Sequence, residues 1–265
     1  MKRLIGCVLA LACAMPVVGE EDGALFRGHS RMALAGAENA VRDARVVYLR
    51  ELKRLQRKGA LDSDPAQVRQ VVDIAIRLRD VAVRLFPASA RWDWDIHVAS
   101  LDEVNAWCMA GGKMMVYSAL AKPFARDDSS IAFAVGHEIA HALLEHSRTQ
   151  QDRELYKDGV RWLLTRSFRV GNVGTSSLSS GEALARTLPM SREAELEADT
   201  LGLEIMSRAG YDPTGALRML QFLAASNKGD AKSDFTATHP LHGRRISNIE
   251  NLLPAAQKLS KGAKQ

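Results

Sequence analysis

The chain has 265 residues, 46% hydrophobic and 25% charged, with a formal net charge of +5. That is enough apolar material for one sizeable core or two small ones, and the interspersed charges exclude a largely disordered chain. Lys2 and Arg3 carry two of the positive charges, so the rest carries only +3, too little to expect nucleic acid as a partner.

The N-terminus reads as an export signal. The basic pair Lys2-Arg3 precedes an apolar run over residues 4–15, then Pro16 and a polar stretch from Glu20. The run is short for a permanent membrane span; an uncleaved anchor is the alternative. Val17 and Gly19 fit a general signal peptidase, giving a signal over 1–19 and a mature chain over 20–265 that reads as a single domain. Ala10-Leu11-Ala12-Cys13 is a loose lipoprotein box, which would attach the protein to a membrane through Cys13. Leu4-Ile5-Gly6-Cys7 matches better locally, but Cys7 has almost no apolar run ahead of it. Either route predicts an exported, periplasmic protein, held at the outer membrane if lipidated. Cys108 is the only cysteine deep in the chain, so no disulfide framework is expected, and it reads as a small buried hydrophobe.

Residues 32–86 predict two amphipathic helices broken at Asp62-Ser63-Asp64-Pro65, with Asp64 as N-cap and Pro65 as first helical residue. Residues 92–98 alternate as a half-buried strand does. Residues 113–117 form a second strand candidate, reached through Gly111-Gly112, a pair that implies a hairpin or a close approach of another backbone. Residues 129–148 predict a helix that is apolar nearly all round and therefore buried. A further helix is expected over 160–168. Residues 170–181, rich in Gly and Ser, read as a mobile lid. Ser191 starts another helix that stops near Gly210, and Asp212-Pro213 restarts one. The Lys-rich tail from Pro254 is expected to fray. The fold class is α+β, mainly helical, with a small sheet.

The string that carries chemistry is His137-Glu138-Ile139-Ala140-His141. Four residues apart on a helix, the two imidazoles share one face and can fill two corners of a zinc tetrahedron. Glu138 lies beside them, able to take a proton from a water that zinc has acidified. Two histidines and a glutamate in a buried apolar helix need partners, which a metal supplies. A catalytic zinc keeps three protein ligands, so a third must come from elsewhere. Glu193, Glu195, Glu197 and Asp199 crowd the later helix. Glu195 and Asp199 share a face: Glu195 can ligate, and Asp199 can accept the free N–H of a zinc-bound imidazole. Glu193 and Glu197 read better as a solvated acidic face.

With those residues in place, the chain resembles the M48 family of zinc peptidases, which includes Ste24-, Oma1- and BepA-like enzymes. The resemblance rests on His137-Glu138-Ile139-Ala140-His141 and Glu195-Leu196-Glu197-Ala198-Asp199. It is joined by Asn105-Ala106-Trp107, Gly111-Gly112-Lys113 and Thr238-His239-Pro240 with Arg245-Ile246. Together these span residues 92–253, a catalytic core preceded by the N-terminal helices. The resemblance implies a gluzincin-like fold, one Zn2+ per chain and endopeptidase activity on proteins or peptides, with misfolded envelope proteins as a substrate class. It implies Glu195 as third ligand, and an edge strand lining the cleft at Gly112, Lys113, Met114, Met115 and Val116. It also places His239 and Arg245 near the cleft. His239 is then a fourth ligand that holds the enzyme latent, an oxyanion stabiliser (a role open to Arg245 as well), or a surface-loop histidine with neither role. Ala110 departs from the proline common in relatives before the paired glycines. Two rivals remain: a catalytically silent exported zinc-binding chaperone or assembly factor, and a structural lipoprotein whose motif is accidental. Glu138 counts against the first, because a structural zinc needs no base and prefers four protein ligands.

Overall fold

The computed structural model describes residues 24–26, 37–147, 189–226 and 234–263. The export signal with Cys13, the helix at 160–168 and the lid at 170–181 lie outside the described residues. Helices α1 (Ala37–Arg57) and α2 (Pro65–Leu85) occupy the predicted N-terminal region. Their junction follows the local chemistry. Asp64 accepts from the N–H groups of Ala66 and Gln67, and Pro65 opens α2 with a φ already suited to a helix. Strands β1 (Asp95–Ala99), β2 (Ala106–Met109) and β3 (Lys113–Tyr117) follow. Strand β1 begins three residues later than expected, because Trp94 turns aside to bond Ser89 O through Nε1 at 2.9 Å.

The three strands form one sheet in the order β1-β3-β2, with β1 parallel and β2 antiparallel to β3. This corrects the expected edge strand. Residues Gly112, Lys113, Met114, Met115 and Val116 enter or lie in β3, which is central: its N–H and C=O groups are paired on both sides, and all five residues of the strand are buried. The edge next to α4 is β2, which sequence reading missed. Ala106-Trp107-Cys108-Met109 packs on both faces and so shows no period of two. Strands β2 and β3 form a hairpin closed by Gly112 N–H bonding Met109 O at 3.1 Å. Gly111 and Gly112 have φ of +79° and +75°, and a Cβ on Gly112 would fall 2.6 Å from the Trp94 ring. The glycine pair thus makes the hairpin, and the close approach is of an indole rather than a backbone.

After the short helix α3 (Ser118–Ala121), helix α4 (Asp128–Leu143) runs through the centre, buried from Ser130 to Leu143 and packed by α2, β2 and two later helices. Those are α5 (Arg192–Arg208), N-capped by Ser191, and α6 (Thr214–Ser226). Helix α4 stops at Leu143, five residues short of the predicted end, because Glu145 adopts a left-handed conformation with φ +54°. Helices α7 (Asp234–Thr238) and α8 (Gly243–Gly262) complete the described chain. Helix α8 corrects the expected frayed tail. It continues through Pro254, and burial of Ala256 and Ser260 beyond the proline holds the final turns. Among the described residues no helix is long and apolar enough to cross a membrane.

Candidate metal centre

Helices α4 and α5 cross where each presents a glycine. A Cβ on Gly136 would lie 3.0 Å from Gly202 O, and one on Gly202 would lie 2.8 Å from His137 N. Backbones this close bring short side chains on the two helices into mutual reach. His137 and His141 project from α4 towards Glu195 and Asp199 of α5, and all four are buried.

The donor atoms converge. His137 Nε2 lies 3.0 Å from His141 Nε2 and 3.5 Å from Glu195 Oε2; His141 Nε2 lies 3.4 Å from Glu195 Oε1. His239 joins them, its Nδ1 being 3.0 Å from Glu195 Oε1 and 3.4 Å from His137 Nε2. The four donors lie within 4.8 Å of one another. A zinc tetrahedron with bonds of about 2.0–2.1 Å has edges of about 3.3–3.4 Å. The five distances above, 3.0–3.5 Å, bracket that figure, and imidazole nitrogens with a carboxylate oxygen are a donor set zinc favours. The residues present therefore fit a bound zinc ion.

The surroundings set the protonation that such a site needs. Burial, aided by the neighbouring imidazole, drives His141 down to about 4, and burial also lowers His137, so both rings are neutral with a nitrogen free to ligate. Burial pulls Glu195 upward, but His239, His141 and His137 outweigh it and hold the carboxyl well below its ordinary range. Asp199 Oδ1 lies 3.0 Å from His137 Nδ1 in a bent contact. Asp199 is in turn clamped by Arg245 through Nε and Nη2, both at 2.7 Å. Arg245 Nη1 approaches Glu195 Oε2 to 2.6 Å at an angle poor for a hydrogen bond, so this is an ion pair rather than a directed bond. Burial also disfavours ionisation of Asp199, and the Arg245 guanidinium, aided by His137, reverses that and holds the carboxyl below its ordinary range.

Arg245 is thus placed differently from the expected oxyanion donor. It is 1% exposed and committed to two carboxylates beneath the donor cluster. Glu138 is 4% exposed; its Oε1 accepts no hydrogen bond among the described residues and lies 3.5 Å from His239 Nε2. Burial raises its pKa above that of a free glutamate. His239 follows α7 directly. Its N–H closes a helical turn on Phe235 O at 2.7 Å and its ring stacks on Phe235 at 4.6 Å, so it is held by a helix end rather than by a purely extended loop.

One residue at the site, His146, escaped sequence reading, and a second, Glu197, was expected to face solvent. His146 is buried, with Nδ1 2.9 Å from His141 Nδ1 and Nε2 3.1 Å from Glu197 Oε2. Burial, then His141, takes it down to about 4, so it is neutral. On a continuing helix His146 would sit about 140° round from His141; the left-handed Glu145 brings it back. Glu197, expected on a solvated face, keeps its carboxylate half-exposed but turns it to His146.

The pattern that defines Peptidase family M48 matches residues 66–253. The chain is similar to the mitochondrial metalloendopeptidase OMA1 of Arabidopsis thaliana, 34% identical over 156 residues that cover 59% of this chain and 30% of the relative. The corresponding enzyme of Saccharomyces cerevisiae is 31% identical over 176 residues, 63% of this chain and 49% of the relative. The beta-barrel assembly-enhancing protease of Escherichia coli is 24% identical over 215 residues, 76% of this chain and 42% of the relative. The chain spans less than half the length of each of these relatives.

Proposed function

The chain belongs to peptidase family M48, and from that premise we propose that it is a zinc-dependent metalloendopeptidase that hydrolyses peptide bonds in proteins. The observation that carries this reading is the buried carboxylate of Glu138, free of hydrogen bonds at Oε1 among the described residues and set beside a four-donor cluster of zinc dimensions. A purely binding protein has no use for that carboxylate, which leaves the silent chaperone without a supporting feature.

His137, His141 and Glu195 would hold the metal. When bound, zinc supplies Lewis acidity, polarising the scissile carbonyl and lowering the pKa of water to about 7. Glu138 takes the proton from the attacking water and delivers it to the leaving amine, a role suited to a carboxylate whose pKa burial has raised. Asp199 holds His137 in the tautomer with the proton on Nδ1, and Arg245 holds Asp199 and Glu195 in place. Both are positioning residues.

The substrate backbone has a place on β2. Asn105 O accepts from Tyr117 N–H and Met109 O from Gly112 N–H, so by antiparallel alternation the N–H and C=O groups of Ala106 and Cys108 point to the open edge. An extended substrate strand added there gains main-chain hydrogen bonds with little sequence preference. That suits unfolded polypeptides, and likeness to a beta-barrel assembly-enhancing protease supports misfolded envelope proteins as substrates. The leader over residues 1–19 supports export to the periplasm, with lipid attachment at Cys13 the finer reading.

His239 favours the latent state over the oxyanion role. Its Nδ1 stands among the donors, 3.0 Å from Glu195 Oε1, where it would occupy the position a water needs. Removing the ring by His239→Ala should raise turnover, whereas loss of an oxyanion donor would lower it by about 10²–10³. The test of the whole reading is digestion of casein by the purified protein, with metal content measured before and after a chelator. Zinc near one per chain and chelator-sensitive cleavage are expected; zinc without cleavage, in His239→Ala as well, would leave only the binding role.

A further inference from the structure

Taking His141 as a zinc ligand, we propose that His146 and Glu197 form a positioning relay that fixes the tautomer of His141 and so keeps its Nε2 bare for the metal. An imidazole ligates through an unprotonated nitrogen, and the hydrogen bond made by its other nitrogen decides which one that is. The atom of His141 that faces the donor cluster is Nε2, at 3.0 Å from His137 Nε2 and 3.4 Å from Glu195 Oε1. The proton of the neutral ring must therefore sit on Nδ1.

The partner of that Nδ1 is another imidazole nitrogen, His146 Nδ1, at 2.9 Å. Two such nitrogens share one proton, and the contact alone does not say which carries it. Glu197 breaks the symmetry. Its Oε2 lies 3.1 Å from His146 Nε2, and an ionised carboxylate only accepts. His146 Nε2 therefore carries the proton, and His146 Nδ1 is left with a lone pair. It can only accept from His141 Nδ1–H, which leaves His141 Nε2 bare. In the reverse polarity His146 Nε2 would set a lone pair against the Glu197 carboxylate while His141 Nε2 carried a proton into the donor cluster.

The two histidines of α4 are thereby set by the same device at different lengths. His137 meets the carboxylate of Asp199 directly, at 3.0 Å. On His141, one helical turn further on, the outer nitrogen Nδ1 meets His146 instead and is linked to the Glu197 carboxylate through that inserted imidazole. Helix α5 supplies both ends, Asp199 for His137 and Glu197 for His141, in the turn that follows Glu195 itself. The left-handed Glu145, with φ +54°, is the backbone feature that folds His146 back into the gap.

The relay is tested on the full-length protein by two measurements besides activity. The first is the zinc dissociation constant, read by competition with a chromophoric chelator. His146→Leu, which removes the acceptor, should weaken zinc by about 10–100-fold. His146→Asn, which keeps a carbonyl oxygen near the position of Nδ1, should recover most of that loss. Glu197→Leu should have a smaller effect than His146→Leu, since its carboxylate is 42% exposed and water can replace it. The second is the 15N–1H correlation spectrum of the histidine rings in zinc-stripped protein. His141 should be found with its proton on Nδ1 in the wild type and should shift towards the Nε2–H form in His146→Leu. A role in packing alone would lower the melting temperature of the stripped variants without moving the tautomer. The proposal is overturned if wild-type His141 carries its proton on Nε2, or if His146→Leu binds zinc as tightly as the wild type. If the wild type binds no zinc, the peptidase reading falls, and the tautomer measurement still decides the relay.

Discussion

The two faces of the small sheet are packed by opposite means. Along β3, Met114 and Val116 point to α2 and α4, while Met115 and Tyr117 point to α1. The α1 side is closed by Ala44, Tyr48, Leu55, Met109, Met115 and Tyr117, and its one buried charge in β3, Lys113, lies over the Tyr48 ring and pairs outward with Asp93, whose side chain is 75% exposed. The other face leads to α4 and α5, where Glu138, Glu195, Asp199 and Arg245 are each less than 5% exposed within the apolar core. Apolar packing depends on volume and tolerates partial collapse. Buried charge depends on the partner, and an ion stripped of its partner loses far more than the contact was worth. One face therefore bears load through shape, and the other holds a reactive arrangement through charge balance.

The largest effect should come from the charged side and should not touch stability. Glu138→Gln is expected to lower peptide hydrolysis by about 10²–10⁴ while zinc content and melting temperature stay at the wild-type level, because an amide cannot take the proton. Near-normal proteolysis by this variant would remove Glu138 from the mechanism.

Next is the clamp beneath the ligands. Arg245→Met leaves Asp199 and Glu195 buried without their cation, and denaturant melts should show a loss of about 3–5 kcal/mol together with weaker zinc binding. A loss under about 1 kcal/mol, the range of exposed pairs, would mean that the guanidinium is solvated in solution. On the α1 side, Met115→Ala should cost roughly 2–5 kcal/mol, towards the lower end because methionine neighbours adapt. Zinc stoichiometry and turnover per folded molecule should not change. If turnover falls with stability, the two faces are coupled and the contrast fails. The smallest effect is expected at the start of α5: Ser191→Ala removes the cap on Ala194 N–H and should lower stability by about 1 kcal/mol, with the metal affinity preserved.

What could be read directly from the chain was local. Asp64-Pro65, Ser191 and the glycine pair at 111–112 declare helix starts and a hairpin through bonds made within a few residues, and all are found where expected. The pairing of His137 with His141 was legible because a helix repeats its face every four residues, and Asp199 follows Glu195 at the same spacing. Strand order was not legible. Residues 113–117 read equally well as edge or centre, because burial on both faces says nothing about which strand pairs on either side. Pro254 marked a break that long-range burial of α8 overrode. Arg245 and Glu197 lie in stretches whose composition matches a solvated surface, yet one is 1% exposed and the other is turned to His146. His146 depends on a left-handed residue that is not glycine, a conformation no local preference announces. Local hydrogen bonds and helical periodicity thus identified which residues carry the chemistry. Which carboxylate answers to which imidazole was decided only by the crossing of α4 over α5 at two glycines, because that choice depends on a backbone separation of a few ångströms between segments distant in sequence.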